Sequence, residues 1–250
     1  MIFDILTIFP EIVEAPLRKS IIGKAIDRKL IDVRVVNIRD FARDRHHTTD
    51  DRPFGGGSGM VMKAEPLVAA IDRVRDSEPS ARVILLSPQG RLFNQQIASE
   101  LSRLRHICLV CGRYEGVDER VRRYYVDDEI SVGDYVLTGG ELPALIVLDT
   151  VARLVPGVLG SNQSTAEESF VGGLLEYPHY TRPEVFEGYR VPEILLSGNH
   201  GAIRRWRRQQ SLFRTWKRRP DLFKKEELGS EDKELLAEAI QREKGPGQTK

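Results

Sequence analysis

The stretch "HICLVCG", residues 106 to 112, is apolar almost without interruption and closes on a glycine, and the fold class turns on how it is read. A strand with one face in water alternates apolar and polar residues, whereas a continuous run suits a strand covered on both faces, as in a parallel sheet. Its two cysteines, Cys108 and Cys111, are the only ones in the chain. Three apart on a strand, they point to opposite faces and read as core residues, neither metal ligands nor a disulfide.

Outward from this run, "RVILLS" (82 to 87) repeats the pattern, and "FDILTIF" (3 to 9) and "IDVRVVNI" (31 to 38) are further strand candidates. Helical patterns alternate with them. "SIIGKAIDRKL" places Ile22 and Ile26 four apart, and "NQQIASELSRL" opens on Asn94 as an N-cap and spaces Ile97, Leu101 and Leu104. "ELPALIVLDTVARLV" is apolar nearly all round, as a buried helix is, with Pro143 fixing its start. The alternation predicts an α/β domain on a parallel sheet over residues 1 to 160, unknotted by the general rarity of knots. Beyond "PGVLG", the segment "SNQSTAEES" is small, polar and aperiodic. It marks a flexible hinge at 161 to 170, followed by a smaller, mainly helical domain from 171 to 250.

With 250 residues, 40% hydrophobic and 30% charged, the composition is that of a soluble globular protein. It has no run of roughly 18 apolar residues and no basic-then-apolar leader, so a cytoplasmic protein is expected. The net charge of +1 conceals an asymmetry. Residues 201 to 220, "GAIRRWRRQQSLFRTWKRRP", hold eight Lys and Arg and no acid, against 24 bases and 29 acids before them and six bases and eight acids after. A merely solvated helix face mixes signs, so this block points to a polyanion, with nucleic acid the favoured partner. Ile203, Trp206, Phe213 and Trp216 in the same block form an apolar stripe and read as core.

The connection "RDRHHTTDDRPFGGGSGMVMK" (43 to 63) is too charged and glycine-rich for a core element, and a structureless loop of that length is functional or disordered. Its "GGGSG" is no dinucleotide fingerprint: it follows a charged loop where a strand is required, and no acid ends a second strand at the right distance. A phosphate-cradling G-x-x-x-x-G-K-[ST] is absent, and His46, His47, His106, His179 and His200 have no metal-ligating spacing, so no metal is expected. More informative are "LLSPQG" (85 to 90), "CGRYEG" (111 to 116) and "SVGDYVLTGG" (131 to 140). Open α/β sheets bind ligands at strand carboxyl ends, and these loops offer main-chain groups and apolar side chains with few charges. Such walls suit an adenine and a sulfonium better than a triphosphate.

These loops, with "DDRPFGGGSGM", "CGRYEGVDER", "SVGDYVLTGGELPA", "RLVPGVLG", "YPHYTRPEVFEG", "LLSGNH" and "RRWRRQQSLFRTWKRRPDL", closely resemble the bacterial tRNA (guanine-N1)-methyltransferases over about residues 1 to 225. The resemblance implies a homodimeric enzyme in which a trefoil knot, around residues 85 to 142, wraps S-adenosylmethionine. It places the cofactor on Leu86, Ser87, Pro88, Gln89, Gly112, Tyr114, Glu115, Ser131, Val132, Gly133, Asp134, Tyr135, Val136, Leu137, Gly139, Gly140 and Pro143. The implied substrate is the guanosine at position 37 of tRNA, 3′ to the anticodon. The anticodon branch would be held by Tyr180, Arg182, Asn199, His200, Arg204, Arg205, Arg207 and Arg208.

Guanine N1 carries a proton and is a poor nucleophile until it leaves, so transfer to N1 requires a general base and stabilisation of the charge that builds on O6. The family's base is an aspartate before "SF"; here Glu168 stands there, with Glu167 as a neighbour able to take over, and Arg153 matches the family's arginine. Glutamate reaches one methylene further but performs the same proton transfer. The resemblance also implies a site shared between chains, the pocket of one facing the hinge carboxylate of the other. Two readings outside this class are a nucleotide-using enzyme of doubly wound fold and a non-catalytic RNA-binding protein.

Overall fold

The computed structural model describes residues 1–160, 168–223 and 228–244. They form two compact units, Met1–Asn162 and Gln163–Lys250.

The first unit is a parallel sheet with helices on both faces. Its strands are β1 (Ile2–Thr7), β2 (Asp32–Asn37), β5 (Arg82–Leu92), β6 (His106–Cys111) and β7 (Asp128–Ser131); β3 (Asp50–Asp51) and β4 (Val61–Met62) pair in a separate two-stranded ribbon. The sheet order is β2-β1-β6-β5-β7, every pair parallel. The run that predicted a doubly covered strand is β6, at the centre and wholly buried. Ile107, Leu109 and Cys111 face one core, while Cys108 and Val110 face the other, so the cysteines do lie on opposite faces, and both are free thiols. Burial pushes both thiols well above their ordinary range, as expected of core residues.

Four helices cover the first face: α1 (Pro10–Leu17), α2 (Ser20–Asp27), α4 (Gln95–Leu101) and α6 (Glu141–Ala152). On the second face lie α3 (Ala64–Ser77) and α5 (Glu119–Tyr125). Each buries a stripe at helical spacing, such as Leu67, Ala70, Ile71 and Val74 on α3. At about 2 kcal/mol for each fully buried aliphatic side chain, these stripes set the helix positions.

The structure corrects several expectations. "RVILLS" does not end at Ser87, because β5 continues to Leu92 after an excursion: Leu86 and Arg91 both pair with Ile130 of β7, and the residues between loop out. Strand β7 lies outside the four strand candidates, since "DDEI" is acidic and not an apolar run. Its acids are instead neutralised by arginines, Asp128 by Arg91 at 2.7 Å and Glu129 by Arg122 at 3.5 Å. Helix α6 is not buried all round, for Leu142 and Ile146, one turn apart, are 54% and 42% exposed. The 43 to 63 connection is not structureless: Lys63 N–H donates to Thr49 O, Glu115 N–H to Met60 O and Met62 N–H to Gly116 O.

The second unit holds a hairpin, Val185–Phe186 with Tyr189–Arg190, and helices Glu193–Leu196, His200–Arg218 and Ser230–Lys244. Glu187 and Gly188 both take positive φ in the hairpin turn, the conformation that matches the twist of two short strands. The core of the unit is Leu174, Leu212, Leu235 and Leu236, with Phe213 packed against it as expected, whereas Ile203 and Trp206 are only half-buried and Trp216 is exposed. Of the expected hinge, residues 161–167, including Glu167, lie outside the described residues.

Candidate active site

Because the sheet is parallel, the excursion within β5 and the carboxyl ends of β6 and β7 share one edge, and the three glycine-bearing loops meet there around a cavity of about 280 Å³. Main-chain contacts bring them together. Gly140 N–H donates to Gly112 O at 2.9 Å, and Arg113 forms a bridge with Gly139. A Cβ on Gly140 would lie 2.6 Å from Cys111 Cα, and one on Gly90 would lie 2.3 Å from Ile130 N. At these two positions any side chain would force backbone apart, so glycine is a condition of loop approach.

Every residue of the expected cofactor set except Asp134 lines this cavity; Asp134 is exposed in the third loop and is not among the lining residues. Tyr114 holds a positive φ of 59° within the second loop. Burial, with the Asp50 carboxylate adding to it, holds the Tyr114 hydroxyl above its ordinary range. The 60–62 segment braces this loop from outside, and a Cβ on Gly59 would collide with the Glu115 side chain.

A buried polar network beneath the cavity went unread in the sequence. Glu141, 1% exposed at the start of α6, accepts hydrogen bonds from Thr7 Oγ1 at 2.7 Å and from Arg113 Nε at 3.0 Å, and Arg113 Nη2 closes an ion pair with it at 2.9 Å. Arg113 Nη1 donates to Thr138 O at 3.1 Å, and its guanidinium lies 4.6 Å over the Phe9 ring. One arginine thus fastens the second loop to the third, to α6 and, through Glu141, to β1. A buried charge needs a partner, so the acid opening an apolar helix was the available signal.

Arg153 is half-buried at the C-cap of α6, its N–H bonded to Asp149 O, and is not among the cavity-lining residues. Glu168, half-buried in the second unit, lines a different cleft with Tyr177, Arg204, Arg207, Arg208 and Ser211. Asn199 caps the helix His200–Arg218, accepting from Ala202 N–H at 3.1 Å, and His200 is the first residue of that helix. Tyr180 and Arg182 are exposed. The four arginines expected to act together do not form one group: Arg205 and Arg208 are bound by acids of the helix Ser230–Lys244. No group of three or more His, Cys, Asp or Glu able to hold a metal occurs among the described residues. No helix among them is long and apolar enough to cross a membrane.

The family model of tRNA (guanine-1)-methyltransferase TrmD matches residues 1–225. The chain is 52% identical to a curated tRNA (guanine-N(1)-)-methyltransferase of Dehalococcoides mccartyi (strain CBDB1), over 99% of this chain and 100% of the relative. It is 57% identical to proteins of the same name from Geotalea uraniireducens (strain Rf4), over 95% and 96% of the two chains, and from Moorella thermoacetica (strain ATCC 39073 / JCM 9320), over 96% and 97%. With a central parallel sheet, glycine-bearing loops at its carboxyl edge and similarity along nearly its whole length, the chain belongs to the tRNA (guanine-1)-methyltransferase family.

Proposed function

We propose that the protein methylates N1 of the guanosine at position 37 of tRNA, with S-adenosylmethionine as methyl donor. The observation that carries this reading is the cavity in which three loops meet at backbone distance, with Gly140 pressed against Cys111. Its walls are mainly main chain, Leu, Val, Pro and Tyr with a few Ser, Thr and Gln side chains; of its charged residues, Arg113 is paired with Glu141 and Arg122 with Glu119 and Glu129, and Glu115 is the acid available to a cationic ligand. They fit a nucleoside bearing a positive sulfonium and amine, and no phosphate cradle accompanies them. The donor supplies an electrophilic methyl whose bond to sulfur breaks with the electron pair left on a neutral thioether.

The chain supplies the rest. Glu168 accepts the N1 proton, leaving the ring nitrogen an electron pair with which to bond the methyl carbon, and Arg153 stabilises the charge spread onto O6. Arg182, Asn199, His200 and the basic helix hold the anticodon branch. The reading extends to a knotted path through residues 85 to 142 and to a cytoplasmic homodimer whose sites are shared between chains. A second copy would cover Leu142 and Ile146, the apolar face of α6 that one chain leaves open.

Calorimetry with S-adenosylmethionine, NAD and ATP tests the cavity: binding of the first alone is expected, and preference for either other ligand overturns the assignment. Mixing Gly140→Val chains with Glu168→Gln chains tests the shared site. One of the two sites in a mixed dimer would join an intact pocket to an intact base, so activity returns in part; no return means the site is built within one chain.

A further inference from the structure

The helix His200–Arg218 carries two kinds of cation. Arg205 contacts Glu238 at 2.9 Å and Glu231 at 3.7 Å, Arg208 forms two bonds to Asp232 at 2.9 and 2.6 Å, and Lys217 pairs with Glu243. These acids all lie on the helix Ser230–Lys244, against which Gln209 and Leu212 are buried. The C-terminal helix therefore closes this face and neutralises it.

Arg204, Arg207, Arg214 and Arg218 make no ion pair among the described residues. At 100° per residue, positions 204, 207, 211, 214 and 218 fall within about 80° of arc, so these arginines form one stripe. Beside it runs the 174–179 segment, fastened where Ser211 Oγ donates to Leu175 O and Leu175 N–H donates to Thr215 Oγ1. Two clefts open between segment and stripe. One contains Tyr177, Arg204, Arg207 and Ser211, with Glu168 and the Asp232-paired Arg208 also in its wall; the other contains Tyr177, His179, Arg214 and Arg218. The carboxylate of Glu176 in the second is engaged by His179. Arg207 lies 4.6 Å over the Tyr177 ring, and its Nε is buried with no hydrogen-bond partner among the described residues.

We propose that the stripe Arg204, Arg207, Arg214 and Arg218 is the phosphate track of the RNA substrate, and that Arg205, Arg208 and Lys217 are structural cations reserved for the acidic C-terminal helix. From Arg204 to Arg214 the helix rises about 15 Å, a span of several phosphates along a nucleic-acid strand. Planar guanidinium forks suit phosphate oxygens, and Tyr177 holds one fork in place before the RNA arrives. The proposal rests on the reading of the protein as a tRNA-modifying enzyme.

Binding of the full-length protein to unmodified tRNA, measured across salt concentration, separates the two sets. Arg204→Ala/Arg207→Ala/Arg214→Ala should weaken binding at least 10-fold and reduce the slope of log affinity against log salt by about two to three units, at roughly 0.7–0.9 per lost phosphate contact. Arg205→Ala/Arg208→Ala should leave the slope unchanged and lower the melting temperature. Equal slope losses in the two variants, or a larger loss in the second, overturn the division. The single variant Arg214→Ala, expected to lose just under one unit, separates the sets in the same way should the triple variant fold poorly. A wild-type protein with no salt-dependent affinity for tRNA would overturn the RNA reading itself, whatever the variants do.

Discussion

The cavity of the first unit and the basic helix of the second are built by different means. The cavity is a main-chain construction, in which Gly90 and Gly140 let backbones touch and Arg113 with Glu141 locks the loops from below. The helix face is made of long side chains whose availability is set by which acids the neighbouring helix has claimed. A site made of backbone tolerates no added atom at its contacts, whereas a face of arginines loses affinity one contact at a time. Recognition of a small cofactor and of a large polyanion make these opposite demands, and the two constructions lie in separate units.

That contrast can be broken at graded strengths. Glu168→Gln keeps the shape of the side chain and removes the carboxylate proposed as base, so turnover should fall roughly 100-fold or more while cofactor and tRNA affinities hold. Full activity in this variant together with a dead Glu167→Gln would move the base by one residue. Glu141→Ala leaves Arg113 half-desolvated and Thr7 without an acceptor, and should cost about 3 kcal/mol of stability, read by denaturant midpoint, with a loss of cofactor affinity beyond that of a surface control. Gly140→Ala adds one methyl against Cys111. At the 1–3 kcal/mol typical of overpacking, it should weaken S-adenosylmethionine about 10- to 100-fold in calorimetry while leaving tRNA affinity in place.

The smallest effect is on pH. The Arg208 guanidinium, hydrogen-bonded to Asp232, holds that carboxyl below its usual range against the opposing pull of partial burial. A depressed carboxyl stabilises the fold above its unfolded pKa, about 3.9 for aspartate, and the contribution is lost as pH falls through the lower folded value. The melting-temperature gap between wild type and Arg208→Ala should therefore be full at neutral pH and shrink below about pH 4. It should stay small throughout, as exposed pairs contribute about 0–1 kcal/mol.

The sequence made the two regions unequally legible. "HICLVCG" and "RVILLS" announced buried parallel strands because continuous apolar runs have one economical placement, and the loops after them could be located from glycine and strand direction alone. Strand β7 was hidden because Asp128 and Glu129 find arginines that are distant in sequence, Arg91 and Arg122. The Thr7–Glu141–Arg113 network was hidden for the same reason, since its members are joined only by the fold. In the basic helix, sign purity flagged the block but could not divide it. That division depends on the register of a second helix, which brings Asp232 to Arg208 and Glu238 to Arg205 and leaves Arg204 and Arg207 on another face. Local pattern reaches what the backbone does; it does not reach which distant acid meets which arginine.

A single-turnover methyl-transfer assay with labelled S-adenosylmethionine tests the central claim most directly, using unmodified tRNA with guanosine at position 37 beside the same tRNA with adenosine there. Label is expected on N1 of the guanosine in the first and nowhere in the second. Equal labelling of both, or label on an atom other than N1, would contradict the account.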